Sequence, residues 1–258
     1  MFTDIIELRE FYQSPRGRAA AALLAPVTER LLARHQAAGS VHGAVHVAYG
    51  YAPPSLFATP PTAMLMPAAQ GVCSWPDTSL GGRLREPQSV PECQNTNRAV
   101  LVEESAWPLP ADNCDSVVLM HALESCTSPA HVLAEAWRVL KSSGRLIIIT
   151  PNRRGLWARA EGTPFGRGQP FTALQLRMLL RQTQFVAEQW ERAVFIPPVK
   201  SSASLASANV WERLGRVLAP NFGGVLVMAA AKQLYAPSSS SGNRAPAHAT
   251  RLVMAPSA

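Results

Sequence analysis

Two short apolar runs, residues 116–120 and 146–149, bracket one amphipathic stretch, and this alternation constrains the fold more than any other feature of the chain. Each run is continuous and rich in Val, Ile and Leu, as strands buried on both faces are. Between them Ser128-Pro129 supplies an N-cap and a first-turn proline. Val132, Leu133, Ala136, Val139 and Leu140 then follow at helical spacing, with Gly144 expected to end the helix. The same grammar repeats outward. Strands are expected at 44–49, 62–66, 99–102, 193–196 and 225–230. A helix opens at Ser14-Pro15 and carries Leu23, Leu24, Val27, Leu31 and Leu32, with Pro26 inside it and Gly39 at its end. Thr172 with Gln175 forms a capping box for another helix, and a last one is expected near 203–218. Strand and helix in alternation predict an α/β doubly wound, mostly parallel sheet.

Length and composition allow this. The chain has 258 residues, 47% of them apolar and 16% charged, enough to bury a full core without disulfides. Cys73, Cys93, Cys114 and Cys126 are too irregularly spaced for a disulfide framework or a zinc site, so no metal is expected and a cytoplasmic location is the expectation. No apolar run reaches membrane-spanning length and residues 1–10 have no signal core, so no membrane partner is expected. The organisation expected is an N-terminal helical segment over 1–40, the sheet domain over 41–235 and a disordered tail over 236–258, where four serines stand in a row.

Residues 97–152 carry a set of spaced motifs. They run Trp107-Pro108-Leu109-Pro110, Asp112-Asn113-Cys114-Asp115, His121-Ala122-Leu123-Glu124, Arg138-Val139-Leu140-Lys141 and Gly144-Arg145-Leu146. This order resembles the class I S-adenosylmethionine-dependent methyltransferases, in the branch called type 11. The resemblance implies a Rossmann-like seven-stranded sheet and S-adenosylmethionine as cofactor. By position it places Glu103 at the adenine amino group, beside Glu104 and Ser105, with Met120, His121 and Leu123 along the cofactor edge. His121 is then a candidate general base, or alternatively a polar residue at a helix start. Tyr49 and Tyr51, flanking Gly50, either stack on the ligand or pack internally. Cys114 stands at a core position.

The first motif departs from the family. In place of an acid followed by Gly-x-Gly-x-Gly stands Ala48-Tyr49-Gly50-Tyr51-Ala52-Pro53-Pro54, in which Gly50 alone survives. Prolines leave room for little more than one helical turn before the second strand. That strand runs into Met66-Pro67-Ala68-Ala69 with no carboxylate for the ribose hydroxyls, and Gln70 is not an equivalent group. The two leading readings are therefore a methyltransferase of unassigned acceptor, weakened in cofactor binding, and an inactive relative that binds a protein partner.

Charge narrows the partner. The formal net charge is +7. Residues 138–168 hold Arg138, Lys141, Arg145, Arg153, Arg154, Arg159 and Arg167 against Glu161 alone. A basic edge on an otherwise near-neutral domain predicts an anionic small molecule or an acidic protein at Arg153, Arg154, Trp157, Arg159 and Arg167, with Trp157 and Phe165 exposed for the contact. Nucleic acid is the weakest reading, because no stripe of basic and stacking residues is present.

Overall fold

A computed structural model describes residues 4–36, 44–76, 97–198 and 207–233. Seven strands form one sheet of order β3-β2-β1-β4-β5-β7-β6. They are β1 (His46–Gly50), β2 (Ala63–Pro67), β3 (Ala99–Val102), β4 (Cys114–Met120), β5 (Leu140–Pro151), β6 (Phe185–Ala193) and β7 (Val225–Lys232). The first five pair in parallel, and β7 runs antiparallel between β5 and β6. The helices are α1 (Ile5–Gln13), α2 (Pro15–Gln36), α3 (Pro129–Val139), α4 (Ala173–Gln182) and α5 (Ala208–Leu218). This is the doubly wound, mostly parallel sheet that the alternation predicts and the Rossmann-like seven-stranded sheet that the resemblance implies. Gly39, residues 77–96 and the tail from residue 234 onward lie outside the described residues.

Alternation along the strands divides the core in two. Ala48, Met64, Met66, Val118, Met120, Ile147, Ile149 and Val227 face α1 and α2. Val47, Tyr49, Leu65, Val117, Leu119, Leu146, Ile148 and Met228 face α3 and α4. A strand covered on both faces must be apolar at every position, so β4 and β5 are the runs most visible in the sequence.

The structure corrects three expectations. α3 ends at Val139 and Leu140 enters β5 directly, so Gly144 is not a helix stop. It sits where the β4–β5 register shifts between Cys114 and Ser116, and a Cβ there would press within 3.0 Å of the Cys114 carbonyl oxygen. The sixth strand covers 185–193 rather than 193–196. It is a sheet edge, and its Glu188, Glu191 and Arg192 hide it from a search for apolar runs. Finally, the expected N-terminal helical segment is two helices, α1 preceding the one that opens at Ser14-Pro15. Asp4 caps α1 by accepting from the Ile6 N–H at 2.8 Å, and Ile5, Leu8, Phe11 and Tyr12 line its buried side. The turn from α1 into α2 is tight: a Cβ on Gly17 would lie 1.9 Å from the Phe11 carbonyl oxygen.

Between β1 and β2 the chain makes one short 3₁₀ turn, Pro54–Leu56, in place of a crossover helix. α2 packs beside this turn and covers part of the face that such a helix would hold. A cleft of about 210 Å³ remains there, with Leu32, Phe57 and Pro61 on its walls and His46, Ser116 and Val118 of β1 and β4 at its base.

Candidate cofactor cleft

In an open parallel sheet a ligand lies at the carboxyl ends of the strands where the strand order reverses, here between β1 and β4. Both strands end in left-handed backbone. Gly50 has φ +89°, and a Cβ there would fall 2.0 Å from the Met120 carbonyl oxygen. Only a glycine lets β1 leave so close to β4. His121 has φ +52°, a conformation costly for a residue with a Cβ and held by its surroundings.

Those surroundings are the chain's own side chains. The Tyr12 hydroxyl lies 2.7 Å from His121 Nε2. His121 Nδ1 is 3.3 Å from Glu124 Oε1, an ion-pair distance without hydrogen-bond alignment. Thr150 Oγ1 donates to the other Glu124 oxygen at 3.3 Å. A carboxylate facing Nδ1 favours the proton there, leaving Nε2 to accept from the tyrosine. Burial first, then the charge of Glu124 and the presence of Tyr51, push the Tyr12 phenol well above its ordinary pKa, so it keeps its proton and donates. Gln70 Nε2 donates to the His121 backbone carbonyl at 2.8 Å, and the Gln70 backbone carbonyl accepts from the Ile5 N–H at 2.9 Å. Tyr51 stacks on Tyr12 with ring centroids 5.9 Å apart, and Phe165 closes over His121 at 4.8 Å. All of these side chains are buried.

The sequence-derived candidates divide between two faces of the sheet. Gly50, Tyr51, Met120 and His121 gather with Tyr12 on the α1 side. Tyr49 lies on the opposite side, stacked on Trp107 at 4.7 Å, with its hydroxyl buried and without a hydrogen-bond partner among the described residues. Glu103 and Ser105 are exposed. Glu104 is occupied by α3: its carboxylate accepts from the backbone N–H of Thr127 at 2.9 and 3.1 Å and of Ser128 at 3.3 Å. Ser128 itself makes no side-chain cap. Leu123 lines a separate cleft with Glu124, Cys126 and Gln169. Tyr12 and Phe11 escaped the sequence reading, although Asp4 and the spacing of Ile5, Leu8 and Phe11 are the signal of a capped amphipathic helix.

The basic edge is thinner than its sequence suggests. Arg138 pairs with Glu135, Lys141 with Asp115, Arg145 with Glu188 and Arg167 with Glu7. Arg153, Arg154 and Arg159 are exposed and have no ion pair among the described residues. Trp157 and Phe165 are buried rather than exposed; the Trp157 Nε1–H donates to the Ile196 carbonyl at 2.6 Å. No cluster of His, Cys, Asp and Glu suited to a metal ion occurs among the described residues.

The strand order, with its switch point between β1 and β4, is the Rossmann-like α/β methyltransferase fold. Residues 86–148 match the family model described as methyltransferase domain. This stretch, under half of the chain, is similar to methyltransferase domains, for which S-adenosylmethionine is the cofactor to consider. Among solved structures the chain is similar to a SAM-dependent methyltransferase of Thermotoga maritima, at 16% identity over 80% of this chain and 89% of that one, with a TM-score of 0.47. A SAM-dependent methyltransferase of Archaeoglobus fulgidus is 16% identical over 80% and 93%, with a TM-score of 0.46. The 1,6-didemethyltoxoflavin-N1-methyltransferase of Burkholderia thailandensis is 17% identical over 83% and 79%, with a TM-score of 0.45. None of these likenesses bears on the acceptor. No curated protein matches the chain.

The residues present do not fit the cofactor in this arrangement. Polar groups remain at the rim: Gln70 Oε1, at the end of β2, is buried without a hydrogen-bond partner among the described residues. Space does not remain. Tyr12, Tyr51 and Phe165 fill the volume in front of Gly50 and His121.

Proposed function

We propose that this methyltransferase binds its cofactor weakly, because α1 stands in the cleft, and that transfer to its unassigned acceptor is impaired accordingly. The observation that carries the reading is the Tyr12 ring, buried against Tyr51 and hydrogen-bonded to His121 at the strand ends where the cofactor would lie. Displacing α1 would expose Ile5, Leu8, Phe11 and Tyr12. At about 1.5–3 kcal/mol for each side chain, that costs about 6–12 kcal/mol. A micromolar ligand supplies about 8 kcal/mol in all. The missing ribose carboxylate removes a charged acceptor worth about 1.5–3 kcal/mol more.

Calorimetry with S-adenosylmethionine and its demethylated product tests this. The wild-type protein is expected to give no saturable heat below about 1 mM ligand. Tyr12→Ala combined with Tyr51→Ala empties the cleft and is expected to tighten binding at least about tenfold. Micromolar binding by the wild type would overturn the proposal, and that measurement decides alone if the double variant fails to fold.

A further inference from the structure

α5 is inside out. Its inward side is Gly215, whose Cβ would come within 2.4 Å of the Phe195 side chain, and Glu212, which accepts from the Phe195 N–H at 2.9 Å and from Arg216 at 3.2 Å. Its outward side is apolar. Val210, Trp211, Leu214, Val217 and Leu218 follow the spacing of a single helical stripe, and they are 42% to 79% exposed. Phe222, in the 3₁₀ turn Pro220–Phe222 just beyond, extends the stripe.

Arginines surround this stripe. Asn152 Nδ2 donates to the Asn221 carbonyl at 3.1 Å and to the Gly223 carbonyl at 2.7 Å, which pins the turn bearing Arg153 and Arg154 beside Phe222. Arg192 lies over the exposed Trp190 ring at 4.5 Å and lines one cleft with Arg216 and Pro220. Arg213 is exposed on α5 itself. The acids nearby are already engaged: Glu212 faces inward and Glu191 pairs with Arg30 at 2.9 Å.

We infer that the outward face of α5, with Phe222 and the flanking Arg153, Arg154, Arg192 and Arg213, docks on an anionic membrane surface. A helix with a Trp-, Leu- and Val-lined stripe and arginines beside it has the make-up of one that lies in the plane of a lipid interface. Its apolar side chains enter the acyl boundary, while the guanidinium groups reach phosphate oxygens of the headgroups. No described helix is long and apolar enough to cross a membrane, so this is attachment at a surface and not insertion across it. The anionic counterpart of the basic edge is then a lipid headgroup layer, and the face is distinct from the cofactor cleft.

Vesicle flotation with the full chain tests the assignment. Phosphatidylcholine vesicles containing about a third phosphatidylglycerol are expected to carry the protein up the gradient, and pure phosphatidylcholine vesicles to leave it behind. Leu214→Glu combined with Val217→Glu is expected to cut recovery at least about tenfold. Arg153→Gln combined with Arg154→Gln is expected to weaken recovery and its dependence on salt. Tryptophan emission should shift to the blue on anionic vesicles, and the shift should shrink in Trp211→Phe. Circular dichroism confirms that each variant is folded. Absence of recovery on anionic vesicles, or equal recovery of the Leu214/Val217 double variant, overturns the proposal. So does a dimer in solution that this variant dissolves, which assigns the face to a second copy. A loss of thermal stability in the variant without vesicles overturns it as well, because another segment of the chain then covers the stripe.

Discussion

Tyr12 joins one hydrogen bond to a full aromatic packing site, and removing the two separately distinguishes them. Tyr12→Phe keeps the ring and leaves His121 Nε2 buried without its 2.7 Å partner. A loss of about 1–3 kcal/mol is expected in urea unfolding. Gly50 is a second pivot. Gly50→Ala would place a Cβ 2.0 Å from the Met120 carbonyl oxygen at φ +89°, so β1 and β4 cannot keep their spacing. A loss above about 3 kcal/mol is expected, read as failure to accumulate folded protein or as a large fall in Tm. Gly50 was legible from its place in a family motif. Tyr12 was not, because its partner is 109 residues away and no local pattern encodes such a pairing.

At the scale of elements, α3 shows how one carboxylate can replace a local cap. Ser128 stands at the N-cap but makes no side-chain cap, and Glu104 satisfies the Thr127 and Ser128 N–H groups from the far side of β4. Glu104→Ala is expected to cost about 0.5–2 kcal/mol and to speed amide exchange at Thr127 and Ser128. Further along the same helix, the hydrogen bond from Arg138 leads burial in setting Glu135, and with the Trp107 N–H and the charge of Arg138 it holds the carboxyl below the usual glutamate range. A depressed folded pKa adds stability above the unfolded value near 4.3, and that stability is lost as pH falls through the folded value. Glu135→Gln should therefore lower stability at neutral pH and flatten its decline in acid, as measured by Tm against pH. The elements differ in legibility for one physical reason. β4, the apolar half of β5 and the capping box of α4 are written in contiguous residues and are legible, whereas residues 140–144 of β5 read as the end of α3. β6 mixes charges into an edge strand, and α1 is a short helix whose apolar side makes sense once the sheet end it covers is known.

Taken whole, the described chain is a sheet whose strand ends at β1 and β4 are covered by α1 and whose α5 is turned outward. Pairing of Arg138, Lys141, Arg145 and Arg167 removes most of the basic run as a free surface. What stays open is a small set of arginines near α5 rather than a long edge, a distinction linear charge counting cannot make because Glu7, Asp115 and Glu188 come from distant segments. Deleting residues 1–13 should remove about as much burial energy as a domain of this kind has in net stability, roughly 5–15 kcal/mol. Insoluble expression of the truncated chain is the expected outcome, and a soluble product with native circular dichroism would contradict it. The same feature has a consequence during synthesis. α1 is synthesised before His121 and Phe165, from which its dock is built. The apolar side of α1 therefore waits for its full cover until residue 165 has emerged. A nascent chain so arranged depends on chaperone holding for its yield, and a bulky fusion at its amino end would delay the closing step, whereas one at the carboxyl end would not.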